Sequence, residues 1–244
     1  MNWICPCVNS LRGCASPTAV GVARYPRPVR YRERLAFWRQ FQHQFASTGA
    51  IQPSSRFLAH AMTEPLRGQR PAGGVRIVEM GPGTGAVTRG IVDAMQPQDQ
   101  LDCFELNPEF ADYLRERVAS DPAFAAGRPR IRIHTGDASR AQIDEAADFV
   151  ICSVPLNNLS VEAVASILDA GRRVLAGKGW FTYFEYVLLP RLHRATAGNR
   201  ERDRIRAVRA LKADFRGDTS SSRLVLLNLP PARAVHVPFS GQRS

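Results

Sequence analysis

Long apolar runs, an even set of cysteines, clustered metal ligands and lysine are all scarce in this chain of 244 residues. No apolar stretch approaches the roughly 18 residues that a membrane-spanning helix needs, which argues against an integral helical membrane protein. The five cysteines, Cys5, Cys7, Cys14, Cys103 and Cys152, are odd in number and irregular in spacing, so they make no disulfide framework and leave a reducing cytoplasm as the expectation. Cys5, Cys7 and Cys14 have no fourth ligand nearby, no nucleophile triad is apparent, and no metal is expected. The first 30 residues lack a continuous apolar segment and carry Pro6, Arg12, Pro17, Arg24, Pro26, Arg27 and Pro28, which points to an irregular leader and not a secretory signal. Only Lys178 and Lys212 are lysines among 33 basic residues.

What is there is a chain with 44% hydrophobic residues, enough for a core and too many for disorder. Its length suits one domain of about 200 residues with extended ends. The formal charge of +11 is unevenly distributed: residues 1–34 carry +5, residues 35–190 carry −2, residues 191–216 carry +6 and residues 217–244 carry +2. A near-neutral middle with basic ends predicts a polyanionic partner surface, either nucleic acid or an anionic membrane leaflet.

Three segments follow from the pattern: an irregular leader at 1–33, a helical segment at 34–72, and a main domain at 73–240. Between Arg34 and Ala46, Leu35, Phe37, Trp38, Phe41 and Phe45 fall within an arc of about 160° at helical pitch. A second helix is predicted over Ser55–Met62. From Val75 the chain alternates apolar strands and helices. Strands are expected at Val75–Met80, Leu101–Glu105, Arg130–His134, Asp148–Ser153 and Trp180–Leu188. Helices are expected at Thr84–Met95, Pro108–Ala119 and Val161–Leu175. Such alternation with short connections predicts an α/β fold whose mostly parallel sheet is covered by helices. A basic helix near Arg200–Phe215 precedes two strands, Arg223–Asn228 and Arg233–Val237, whose close spacing predicts a C-terminal antiparallel hairpin and a sheet of seven strands in all.

The chemistry concentrates at Glu79-Met80-Gly81-Pro82-Gly83-Thr84-Gly85, directly after a strand and before a helix. Glycines there let backbone approach a ligand without Cβ clashes, and helix N–H groups face an anionic group. Glu105 ends the next strand, 20 residues after Gly85, where a carboxylate can accept from both ribose hydroxyls. Asp137 of Gly136-Asp137-Ala138 follows the third strand, within reach of an adenine amino group. Ser153-Val154-Pro155-Leu156-Asn157-Asn158 follows the fourth. This set resembles the Rossmann-like class I methyltransferases that bind S-adenosylmethionine. The resemblance implies cofactor contacts from Ser54, Glu79, Gly81, Pro82, Gly83, Thr84, Gly85, Glu105, Leu106, Asp137, Ala138 and Ser153.

Two families share these elements. The rRNA adenine dimethyltransferases have a similar cofactor turn, but their acceptor loop reads Asn-Leu-Pro-Tyr, and here Ser153 and Leu156 replace the hydrogen-bonding asparagine and the stacking tyrosine that a flipped base needs. The bacterial phospholipid N-methyltransferases, including enzymes acting on ornithine lipids, are the better match. Thr48–Ala59 resembles their segment before the core, Gly81–Thr88 their cofactor turn, Ser153–Leu156 their acceptor loop, and Asn228–Ala232 their Asn-Leu-Pro-Pro-Ala hairpin. That resemblance implies N-methylation of an aminolipid head group (phosphatidylethanolamine towards phosphatidylcholine, or ornithine lipid) by an enzyme held on the inner face of the cytoplasmic membrane. No obligatory protein partner is evident. Ser153, Val154, Pro155 and Asn157 would orient the acceptor, chiefly through backbone carbonyls. Glu185, Tyr186 and His193 are candidate bases. Leu35, Phe37, Trp38, Phe41, Phe45 and Arg56 would meet lipid. Arg200, Arg202, Arg204, Arg206, Arg209 and Lys212 would turn toward lipid phosphates while Ile205, Val208, Leu211 and Phe215 hold their helix on the protein.

Overall fold

The computed structural model describes residues 56–140, 143, 145–187 and 198–240. The expected Arg34–Ala46 helix, with Leu35, Phe37, Trp38, Phe41 and Phe45, lies outside them, as do Ser54 and His193. Seven strands form one sheet: β1 Arg76–Met80, β2 Gln100–Glu105, β3 Ile131–Thr135, β4 Phe149–Cys152, β5 Gly179–Tyr186, β6 Ser221–Val225 and β7 Ala232–Phe239. The order is β3-β2-β1-β4-β5-β7-β6. The first five strands run parallel; β7 inserts antiparallel beside β5 and pairs antiparallel with β6. The helices are α1 Arg56–Met62, α2 Glu64–Gly68, α3 Ala86–Val92, α4 Pro108–Ser120, α5 Val161–Leu175 and α6 Asn199–Arg216.

The central strands are buried along most of their length because helices cover both faces. Every residue of β4 is buried. Strand alternation sends Val78 and Met80 of β1 to the layer shared with α5 and α6, where they meet Val150, Leu168, Phe181, Val208 and Phe215. Ile77 faces the other way, into the layer of Leu58, Met62, Leu66, Ile91 and Leu114. Within residues 56–68, Leu58, Ala61, Met62 and Leu66 are therefore buried in the same core as the sheet, while Phe57 stays exposed. Helix starts follow local chemistry. Asn107 caps α4 by accepting from Glu109 N at 3.0 Å, with Pro108 at the first turn, and Ser160 caps α5 by accepting from Ala163 N at 3.2 Å.

Two expected boundaries shift. Helix α3 is shorter than Thr84–Met95, because Ala94 N and Met95 N bond to the carbonyls of Ile91 and Val92, three residues back, and so close tighter turns. Strand β6 ends at Val225 and not at Asn228, so the β6–β7 turn spans 226–231.

Helix α5 lies so close to β5 that a Cβ built on Gly171 would stand 2.1 Å from Cε2 of the buried Phe181 ring. Gly171→Ala should therefore destabilise the fold by about 1–3 kcal/mol through overpacking, measured as a lower urea midpoint with unchanged slope.

Candidate active site

The parallel strands deliver their C-terminal ends to one edge, and the loops leaving them keep the ladder's bonds for one more residue. Gly81 N donates to Phe104 O at 2.9 Å, Ser153 N to Met80 O at 2.9 Å and Gly136 N to Glu105 O at 2.8 Å. The cofactor turn, the end of β2, the Gly136-Asp137-Ala138 segment and the acceptor loop are thus gathered at one rim, as expected for a ligand crevice at the switch in strand order.

Within the turn the glycines have different physical reasons. A Cβ on Gly81 would stand 2.4 Å from Val154 Cγ2, so this glycine lets the acceptor loop press directly onto the turn. That contact also accounts for Val154 being buried. A Cβ on Gly83 would meet nothing within 4 Å, and the same holds for Gly136, so these two border open space. Gly83 N donates to Glu105 Oε2 and Asn107 N to Glu105 Oε1, each at 2.9 Å. Glu105 is almost enclosed; burial raises its pKa while these backbone donors oppose the rise. A carboxylate offers about four lone-pair sites, so these backbone donors do not exhaust it. Asp137, half-buried, accepts from Ser139 N at 2.9 Å. Pro82 closes the turn by accepting from Gly85 N at 3.0 Å, and Thr84 O is held by Arg117 Nη1 at 2.7 Å. Leu106 and Ala138 are half-buried beside the two carboxylates. Open space at glycines flanked by two carboxylates fits a nucleoside with vicinal hydroxyls and an exocyclic amine.

Glu79 differs from this expectation. Its carboxylate is fully buried and lies beneath the turn, so it supports the cofactor cradle and does not line it. Thr88 Oγ1 donates to Oε2 at 2.6 Å, Cys103 Sγ reaches the same oxygen at 3.7 Å, and Ser153 Oγ donates to Oε1 at 2.7 Å. Burial pushes the carboxyl up to about 7, against the opposing effect of these donors.

The acceptor loop is likewise tied down. The Ser153 hydroxyl is committed to Glu79, but among the described residues no donor reaches the Ser153 carbonyl. Pro155 O accepts from Asn158 N at 3.1 Å. Asn157, expected at the acceptor, has its Oδ1 bonded to Lys212 Nζ, and its carbonyl accepts from Arg204 Nη1 at 3.1 Å. The side-chain oxygen is therefore occupied by α6. Lys212, expected at the lipid phosphates, is instead 4% exposed and pairs with Glu185 Oε2 at 2.7 Å. Arg204 is half-buried against Glu201 and the carbonyls of Asn157 and Leu159. Arg200, Arg202, Arg206 and Arg209 remain exposed, while Ile205, Val208 and Phe215 are buried as their spacing predicts.

Glu185 is unsuited to accept a proton from the substrate. Burial alone would raise its pKa, but Lys212 and Arg216 outweigh burial and hold it below the usual carboxylate range. Tyr186 is pushed up by burial, so it too is a poor base. Arg56 opens α1 on the surface, its guanidinium 5.0 Å from the Phe57 ring. Lys212, Arg204 and Thr88 are supports that the sequence pattern does not announce. One signal is present in it: Lys212 occupies the apolar stripe of α6, four residues from Val208 and three from Phe215. Among the described residues no group of three His, Cys, Asp or Glu side chains could hold a metal.

A raised carboxyl costs stability once it ionises. With an unfolded value of 4.5 and a folded value of about 7, the contribution of Glu79 is complete below pH 4.5 and is lost as pH rises through 7. Wild-type protein should lose about 2–3 kcal/mol between pH 5 and pH 8 that Glu79→Gln retains, measured by urea unfolding at both pH values. Equal pH slopes would show that Glu79 is ionised in the fold throughout.

Comparison with known proteins agrees with this geometry. A family model described as a methyltransferase domain matches residues 77–179. An ornithine lipid N-methyltransferase from Singulisphaera acidiphila is 30% identical over 142 residues, covering 58% of this chain and 71% of that protein. Among solved structures, the O-methyltransferase TomG from Streptomyces achromogenes in complex with SAM has a TM-score of 0.53 at 16% identity, over 89% of this chain and 93% of that one. The glycopeptide N-methyltransferase MtfA, complexed with sinefungin, has a TM-score of 0.54 at 14% identity, over 78% of this chain and 89% of that one. The chain belongs to the class I S-adenosylmethionine-dependent methyltransferases, and within them its sequence is similar to a lipid N-methyltransferase.

Proposed function

We propose that this enzyme methylates the amine of a membrane lipid head group, either phosphatidylethanolamine or an ornithine lipid, at an anionic membrane surface. The observation that carries this reading is the similarity to an ornithine lipid N-methyltransferase across most of that protein's length. The acceptor loop supports it. A nucleobase amine needs a hydrogen-bond acceptor and a stacking ring, whereas Ser153 gives its hydroxyl to Glu79 and Leu156 stands where the ring would be. An aliphatic amine needs neither, because its nitrogen is already a good nucleophile once it has lost its proton.

When bound, S-adenosylmethionine supplies a methyl group on a sulfonium, whose departing thioether is neutral. The contribution of the protein is alignment and exclusion of water. The Gly83 edge, Glu105 and Asp137 hold the nucleoside. The Ser153 carbonyl, with its lone pairs unclaimed among the described residues, accepts an N–H of the incoming amine and aims the nitrogen lone pair. The amine would have to arrive neutral, having lost one proton to solvent for each methyl added, so that the bound cofactor's methyl could pass to its lone pair with the neutral thioether leaving. Neither Glu185 nor Tyr186 takes that proton, for the reasons given above.

No helix among the described residues is long and apolar enough to cross a membrane. The apolar set Leu35, Phe37, Trp38, Phe41 and Phe45, with Arg56, is proposed as one docking element.

The direct test supplies labelled S-adenosylmethionine with vesicles containing phosphatidylethanolamine or ornithine lipid and, separately, ribosomal RNA. Label is expected in lipid; label in RNA alone would overturn the reading. Glu105→Ala should weaken cofactor binding by roughly 10- to 100-fold in calorimetry, the worth of a hydrogen bond to a charged group, and leave vesicle binding unchanged.

A further inference from the structure

We propose that the β6–β7 turn is an apolar wedge that enters the bilayer beside the catalytic rim. The proposal rests on the lipid reading above and adds to it a docking element within the folded domain. Leu226, Leu227 and Leu229 are 66%, 68% and 75% exposed, the three most exposed large apolar side chains among the described residues. Between them, Asn228 is buried, and its Nδ2 donates to Pro230 O at 2.7 Å. A hairpin turn that faces water does the reverse, with polar side chains outward and apolar ones against the sheet. Here the polar group is satisfied inside the turn and the leucines are displayed outside. That inversion suits a turn whose outer surroundings are hydrocarbon.

The position of the turn selects its occupant. Strand β7 runs antiparallel to β5, and Tyr186 at the end of β5 is paired with Ala232 at the start of β7. Val187 N donates to Pro231 O at 3.0 Å. The leucines therefore leave the sheet at the edge where the cofactor turn and the Ser153–Pro155 loop also lie. Helix α6 starts at this edge too, since Arg204 holds the carbonyls of Asn157 and Leu159. Its first turns expose Arg200 and Arg202. The acceptor loop is thus flanked by apolar side chains on the β7 side and exposed guanidiniums on the α6 side. Leucines suit acyl chains and guanidiniums suit lipid phosphates, so one surface of anionic phospholipid satisfies both. A head group in that surface would lie level with the acceptor loop.

The test uses the full chain and vesicles of phosphatidylcholine and phosphatidylethanolamine, with and without phosphatidylglycerol. Leu226→Ser/Leu227→Ser/Leu229→Ser should lower vesicle partitioning at least tenfold and lower methylation of vesicle lipid in proportion. Methylation of a short-chain aminolipid dissolved below its micelle concentration should stay within twofold of wild type. Arg200→Gln/Arg202→Gln should lower partitioning only where phosphatidylglycerol is present. Leu227→Trp should gain fluorescence that is quenched by brominated acyl chains beyond the wild-type signal. Unchanged partitioning together with no added quenching would overturn the proposal. So would added fluorescence in the Leu227→Trp variant that is already shielded without vesicles, which would mean that residues 1–55 cover the turn. So would a dimer that the serine variant converts to monomer with vesicle binding intact, which would assign the leucines to a second copy of the chain. Insertion is read by quenching alone: a quenched Leu227→Trp protein that labels no lipid amine would support the wedge and overturn the substrate reading.

Discussion

A single buried carboxylate organises the site. Glu79 stands on the central strand, fully enclosed, and receives donors from Thr88 at the start of α3, from Cys103 of β2 and from Ser153 after β4. A polar group placed there without partners would be costly, so its presence demands that those three elements sit where they do. The cofactor turn runs from β1 into α3 directly above it. Removing the glutamate would leave the buried Thr88 and Cys103 donors with nothing to bond and free the Ser153 hydroxyl at the rim; ionising it places a charge among Ile77, Cys103 and Ile151. The turn's shape and the pH response of the fold are therefore consequences of one arrangement.

A second network holds the other half of the rim. Glu185 near the end of β5 accepts from Lys212 at 2.7 Å and from Arg216 at 2.9 Å, and Arg216 also reaches the Tyr183 hydroxyl. Lys212 extends this network to Asn157, and Arg204 clamps the same loop from one end of the helix. The basic helix is therefore two structures in one. Its inner cations fasten the acceptor loop to β5, and its outer arginines keep the charge that faces solvent. Neutralising the inner set would leave the half-buried Glu185 without a counter-charge, which is why these residues act on positioning and not on lipid attraction.

Much of the architecture is legible in the sequence. Helix α5 begins and ends where its pattern predicts, because Ser160 caps it and the apolar period of Val164, Ile167, Leu168 and Leu175 is unbroken. Each parallel strand falls within about two residues of its expected place, since strands buried on both faces read as short apolar runs bounded by turn residues. The β6–β7 boundary is not legible. Leu224 to Leu227 read as one continuing strand, and only the pairing of Val225 with Ala232 shows that the ladder stops there. The same apolar run hides the leucines' exposure, because a residue's hydrophobicity does not state which side of a turn it occupies.

The roles of individual charges divide along the same line. By itself, the sequence determined the glycine turn, the carboxylates at the ends of β2 and β3, the alternation of strand and helix, and the class of chemistry, because each depends on backbone conformation and on neighbours a few residues away. Which of those charged groups face the cleft was decided only by the tertiary structure. Glu79 meets Ser153 across 74 positions, Asn157 meets Lys212 across 55 and Glu185 meets Lys212 across 27. Those pairings exist because sheet order brings distant strand ends to one rim, and low-dielectric surroundings make each paired group keep its partner.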